Sequence, residues 1–225
     1  MNGGATLDGR LADYVGCACE VKTMDNDLLV VGKIRSVLDD DGQAIEITSY
    51  NGDSMPAAAY GIPIKVNIIN SKHGFLSLGG KVYITHESFW RVNDISTFGE
   101  NERRGYYRLK IHTLADVIGP DKANVIKNYK CLVISVSLSG ILIAVDADDC
   151  YFRDETEIEV RGLRVFEAGE SFNVKCTVNR IDENHLLGKL YGCRFVKMSG
   201  KESDRLCKEI FAKQRQDIQR RRGGV

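Results

Sequence analysis

Three arginines, Arg103, Arg104 and Arg108, fall within "ERRGYYRLKIHT" (residues 102 to 113), where they flank Tyr106 and Tyr107 just ahead of a strand-like run. Each guanidinium offers a planar fork of donors that matches phosphate oxygens or the O6/N7 edge of guanine. It also stacks flat on a base. A ligand combining guanines with phosphates would suit several such groups at once. The competing reading is a surface network in which the arginines pair with Glu100 and Glu102 while Tyr106 or Tyr107 packs inward.

A second cluster follows in "ISVSLSGILI", where Ser135, Ser137 and Ser139 lead into Gly140 between two apolar runs. Small hydroxyl residues before a glycine permit a tight turn, leave backbone amides accessible and let a ligand approach closely. The same residues also make an ordinary β-turn whose serines cap their own backbone.

The rest of the chain must position these groups. With 225 residues it is long enough for one large or two small domains, and two small ones are expected. Lys plus Arg and Asp plus Glu both total 31, so no global field draws the chain to a polyanion, and any anion site must be local. Seven cysteines, at positions 17, 19, 131, 150, 176, 193 and 207, never form C-x-x-C. They read as reduced, mostly buried thiols of a cytosolic protein rather than a disulfide framework or zinc module. No signal-peptide pattern opens the chain, and "ILIAV" (141 to 145) is far shorter than a membrane span.

Alternating stretches bounded by turn residues predict strands: "CACEVKTM", "LLVVGKIRSVL", "QAIEITSY", "PIKVNIIN" and "FLSLGGKVYIT" in the first ninety residues. The turns between them include "NSKHG" and "LGGK". "YYRLKIHT", "KCLVISVSL", "GILIAVDA", "TEIEVRG", "SFNVKCTVNRI" and "HLLGKLYGCRFVKM" repeat the pattern. The expected fold class is therefore mainly β, with two small antiparallel barrels. Gly119 and Pro120 break the segment 114 to 130, which reads as an irregular connection with a short turn of helix. From Lys201 onward, Leu206, Ile210, Phe211 and Ile218 follow helical spacing, with Ser203 or Ser199 as the cap. The polar stretch 93 to 105 separates the two strand-rich blocks and reads as the hinge that carries the arginines.

In this order and at this separation the two clusters resemble the signature of the PilZ family, receptors for the bacterial second messenger cyclic di-GMP. "RGYYR" (Arg104 to Arg108) is similar to the family's R-x-x-x-R. "SVSLSG" (Ser135 to Gly140) is similar to its [D/N]-x-S-x-x-G. "YGCRF" and the basic C-terminal helix resemble the family's closing strand and helix. More weakly, residues 1 to 97 resemble the N-terminal split barrel of flagellar brake proteins, through "GGKVYI" and Phe89-Trp90. The implied division is residues 1 to 97 for that barrel and 98 to 225 for the PilZ domain with its linker.

The resemblance implies that Arg104 and Arg108 hold guanine edges and phosphates, that Ser137 donates to the ligand and that Gly140 gives clearance. It implies that Arg103 supports a stacked pair of ligand molecules, and that binding reorients the two domains. Ser135 departs from the pattern: it replaces the Asp or Asn that would accept from guanine N1–H and N2–H. Losing one such contact costs about 1 to 3 kcal/mol.

Three other classes are weighed against a receptor. A PilZ-like barrel with a decayed site would act as a protein–protein docking module, and Ser135 favours that reading. Enzymatic activity is not expected, because His73, His86, His112 and His185 form no metal or triad spacing and "LSLGGK" lacks the phosphate-loop pattern. Nucleic-acid polymers are not expected either, although residues 201 to 225 carry eight basic and four acidic side chains. No cofactor other than the cyclic di-GMP ligand is expected. The implied output is a protein partner in the flagellar motor or in polysaccharide synthesis, acting on motility or a biofilm process.

Overall fold

The computed structural model describes residues 11–38, 44–70, 74–97, 106–196 and 200–223. Two compact units divide the chain: residues 1–107 together with 217–225, and residues 108–216.

In the first unit a 3-10 turn (Ala12–Tyr14) precedes six strands, β1 (Ala18–Thr23), β2 (Leu28–Leu38), β3 (Ala44–Ser49), β4 (Pro63–Asn70), β5 (Gly74–His86) and β6 (Phe89–Thr97). They close an antiparallel barrel in the order β1-β2-β3-β6-β5-β4. Alternation puts Val21, Ile34, Ile47, Val66, Leu78 and Val92 inside, around Trp90. The Trp90 indole is buried and donates from Nε1 to the Pro56 carbonyl at 2.7 Å, so its one polar atom is satisfied.

Two expectations fail here. "LGGK" is not a turn but the middle of β5. Its register against β6 slips at Gly79/Lys81, and a Cβ at Gly80 would run into Val92 and Ile95. The glycines let one 13-residue strand bend and serve β4 with one part and β6 with the other. Residues 93 to 97 belong to β6 rather than to a hinge, because Val92 and Ile95 are buried in the core.

The second unit holds β7 (Leu109–Pro120), β8 (Ile126–Val136), β9 (Gly140–Val145), β10 (Glu157–Leu163), β11 (Phe172–His185) and β12 (Gly188–Phe195). The barrel closes as β10-β11-β12-β9-β8-β7, every pair antiparallel. The irregular connection expected at 114 to 130 is a β7–β8 hairpin. Pro120 is tolerated because it is the last residue of β7, opposite Ile126. Gly119 is needed there because a Cβ would meet the ring of Phe152 at 2.5 Å. The turn is closed by Asp121, whose Oδ1 accepts the amides of Ala123 (2.8 Å) and Val125 (2.9 Å).

Helix α1 (Gly200–Gly223) follows β12. Leu206 and Ile210 join the core of the second barrel, each burial stabilising by about 1.5–3 kcal/mol. Over the β10–β11 loop, Arg205 pairs with Glu170 and lies 5.9 Å above the Phe172 ring, and Lys213 lies 5.4 Å above the Phe166 ring. Ser203 lies inside the helix and so cannot cap it, while Ser199 lies outside the described residues.

None of the seven cysteines forms a disulfide, and all but Cys17 and Cys207 are buried. Burial pushes the Cys131 and Cys193 thiols up to about 12, which leaves them protonated and unreactive.

Candidate functional site

Strand pairing brings the start of β7, which directly follows Arg108, to the serine segment at the end of β8. Leu109 pairs with Val136 and Lys110 with Ser135, so Arg108 directly precedes this pairing on one strand and Ser137 directly follows it on the other. On the next strand Val136 pairs with Ile141, and beyond it Gly140 pairs with Arg194 of β12. The side chains of Leu109, Val136, Ile141 and Cys193 all lie in the barrel core. By the two-residue alternation Lys110, Ser135, Gly140 and Arg194 therefore share the outer face, at one end of β7, β8, β9 and β12, with exposed Arg108 directly before β7.

Ser137 shapes the turn between β8 and β9. Its amide donates to the Gly140 carbonyl at 2.8 Å, its hydroxyl donates to the same carbonyl at 3.2 Å, and its Oγ accepts the Ser139 amide at 3.3 Å. The Ser139 carbonyl in turn accepts the Phe195 amide at 2.9 Å, tying the turn to β12. Self-capping by the serines, one of the two readings of this segment, is what the structure shows. Ser135 and Ser137 are 7% and 6% exposed.

Gly140 has a reason independent of any ligand: a Cβ there would overlap the Cys193 carbonyl oxygen. Close approach of two strands, not clearance for a dinucleotide, is sufficient to require it.

Arg108, Lys110 and Arg194 are exposed. Among the described residues none hydrogen-bonds to or pairs with their side chains, in contrast to Arg161, held by Glu159 at 2.9 Å, and Lys127, held by Asp121 and Asp149. Arg103 and Arg104 lie outside the described residues. The face thus concentrates cations in a chain whose formal net charge is zero, an arrangement suited to an anion with planar hydrogen-bonding edges.

Lys110 and Arg194 were not singled out in the sequence. "YGCRF" contains Arg194, but its place beside Gly140 depends on the β9–β12 register, which no local pattern encodes. Among the described residues no group of His, Cys, Asp or Glu could hold a metal ion. No helix among them is long and apolar enough to cross a membrane.

Residues 102–212 match the family model for the PilZ domain. The second barrel is a PilZ domain. That match spans the outward cationic face, the serine turn and the first half of α1. Solved structures similar to the whole chain include the inhibitor of motility from Bacillus subtilis, 12% identical, covering 94% of this chain and 98% of that one with a TM-score of 0.38. YcgR of Escherichia coli, solved in complex with c-di-GMP, is 13% identical, with coverages of 96% and 93% and a TM-score of 0.43. The PlzA protein of Borreliella burgdorferi, also solved with c-di-GMP, is 10% identical, with coverages of 91% for both chains and a TM-score of 0.35. No curated protein matches the chain.

Proposed function

We propose that this protein is a receptor for cyclic di-GMP, with residues 1–97 as the responding barrel and 98–225 as the ligand-binding PilZ domain with its linker. The observation that carries the reading is the β7–β8 register, which pairs Lys110 with Ser135 next to Arg108 and Ser137, with Arg194 on the same outward face. Arg104 and Arg108 would take guanine edges and phosphates, and Arg103 would extend the clamp to a second stacked ligand. Arg194 would add a further donor from β12.

Binding immobilises the linker arginines against the serine turn, and the responding barrel takes a new orientation. The ligand can shift that equilibrium only by its difference in affinity for the two arrangements. The output is regulation of motility or of a surface process through a protein partner, in the flagellar motor or in polysaccharide synthesis. The protein acts in the cytoplasm and catalyses no reaction.

The buried hydroxyls of Ser135 and Ser137, the latter already bonded within its own turn, favour a second reading, a docking module that binds no dinucleotide. Calorimetric titration of the folded chain with cyclic di-GMP separates the two: saturable heat supports the receptor, and no heat at high micromolar ligand overturns it.

A further inference from the structure

Strand β7 runs from the cationic end of the second barrel to Pro120, and β12 runs from Gly188 back to that end, so the β7–β8 and β11–β12 turns lie at the other end. Both turns carry apolar side chains that the core does not use. Leu186 is fully exposed beside exposed Leu187, and Val125 and Ile126 are each more than half exposed. Neither tip is loose. The Leu187 amide donates to His185 Nδ1 at 3.2 Å, and Gly188 has a φ of +93° where a Cβ would meet the Val145 carbonyl. Asp121 closes the other turn through the amides of Ala123 and Val125. The loop after β9 ties the two together: its Asp149 pairs with Lys127 at 2.8 Å, and its Cys150 carbonyl accepts from Lys189 at 2.7 Å. Residues 121–127, 146–151 and 182–189 carry six acidic and three basic side chains, and two of those three bases, Lys127 and Lys189, are held in the contacts just described. Asp146, Asp148 and Glu183 are exposed, with no side-chain partner among the described residues.

We propose that this acidic, apolar end of the second barrel docks a short cationic, leucine-rich segment of another protein. Leu186, Leu187, Val125 and Ile126 bury the apolar side chains of that segment, and Asp146, Asp148 and Glu183 meet its lysines or arginines. Both tips are fixed beforehand, so docking orders few groups and loses little entropy. Four exposed apolar side chains cover far less than the roughly 800 Å² per partner of a standard interface, which suits a short segment and not a stable dimer. A second copy of this chain also lacks the matching chemistry. Its cationic face stands around serines, and Leu206, Ile210 and Ile218 of its basic helix are buried. An anionic lipid surface is repelled by the same carboxylates that attract a cationic segment. The proposal stands whether or not the chain binds cyclic di-GMP, because the two surfaces lie at opposite ends of the barrel.

The test is fluorescence anisotropy of a short labelled helical peptide of leucine and lysine mixed with the full chain, without cyclic di-GMP. A leucine–glutamate peptide and a serine–lysine peptide of the same length serve as controls. The leucine–lysine peptide should bind saturably and about tenfold more tightly than either control, and more weakly as salt is raised. Its affinity should fall about tenfold in a chain carrying Leu186→Ser and Ile126→Ser, and about fivefold in one carrying Asp146→Asn and Asp148→Asn. Leu114→Ser, which alters an exposed leucine in the middle of β7, should leave it unchanged. Should the leucine variant melt early, the asparagine variant must still show its loss. No saturable binding, or equal binding by the parent and both double variants, overturns the proposal. So does binding to phosphatidylglycerol vesicles that Leu186→Ser abolishes, or self-association of the parent in sedimentation that the same substitution abolishes.

Discussion

Gly140 of β9 stands directly across from Arg194 of β12, and the carbonyl of Cys193 occupies the space that a side chain at position 140 would need. The glycine that completes the PilZ signature is thus already required by the barrel. Replacing it by alanine forces backbone apart from backbone, a strain that typically costs about 1–3 kcal/mol. Gly140→Ala should lower the denaturation midpoint of the second barrel even with no ligand present, as followed by near-ultraviolet circular dichroism. An unchanged midpoint would return the glycine to a role in ligand clearance.

Arg194 makes the opposite case. It is exposed and unpaired among the described residues, so Arg194→Ala should leave stability within about 0.5 kcal/mol of the parent. On the receptor reading it should still weaken cyclic di-GMP binding about tenfold, the loss of one charge-assisted contact. Equal affinity in parent and variant would remove β12 from the site.

Ser135 lies on the same outer face, opposite Lys110, at the position where the family carries a carboxylate or amide. Ser135→Asp would supply the missing acceptor for guanine N1–H and N2–H, with Lys110 near enough to balance its charge. Affinity measured by calorimetry should rise about 5- to 150-fold. A weaker variant would mean that this face does not receive a guanine edge.

In the first barrel the Arg91 guanidinium holds the Glu46 carboxyl below the usual carboxylate range, donating from Nη2 at 2.8 Å and Nε at 3.3 Å, and Ser36 adds a hydroxyl at 3.1 Å. A depressed folded-state pKa contributes stability that is fully present above the unfolded value of about 4.3 and is lost as pH falls through the folded value. The barrel should therefore lose stability below about pH 4.3, and Arg91→Met should flatten that acid limb of the denaturation midpoint. A parent and variant with parallel acid limbs would show that the pair contributes nothing to the pH dependence.

Much of the fold was legible because half-buried strands advertise their period. β2 and β4 coincide with "LLVVGKIRSVL" and "PIKVNIIN", and the helical spacing of Leu206 and Ile210 announced α1. Two of the errors share one cause, the reading of glycine and proline as breaks when tertiary packing had other uses for them. Gly80 makes room for Val92 and Ile95 inside β5, and Gly119 makes room for Phe152 just before the strand-ending Pro120. At the site, the sequence showed two clusters in order, and the structure pairs Leu109 and Lys110, just after Arg108, with Val136 and Ser135. Arg194 was not, since its proximity to Gly140 arises from strand register across the barrel rather than from anything near it in sequence.

The most direct test of the receptor reading is isothermal titration of cyclic di-GMP into the folded chain, parent beside Arg108→Ala. Arg108 is exposed, with no partner among the described residues, so the variant should keep the parent's melting temperature. The account predicts saturable heat for the parent and at least a tenfold loss of affinity for Arg108→Ala. A parent that gives no heat at high micromolar ligand, or an Arg108→Ala chain that binds as tightly as the parent, would contradict it.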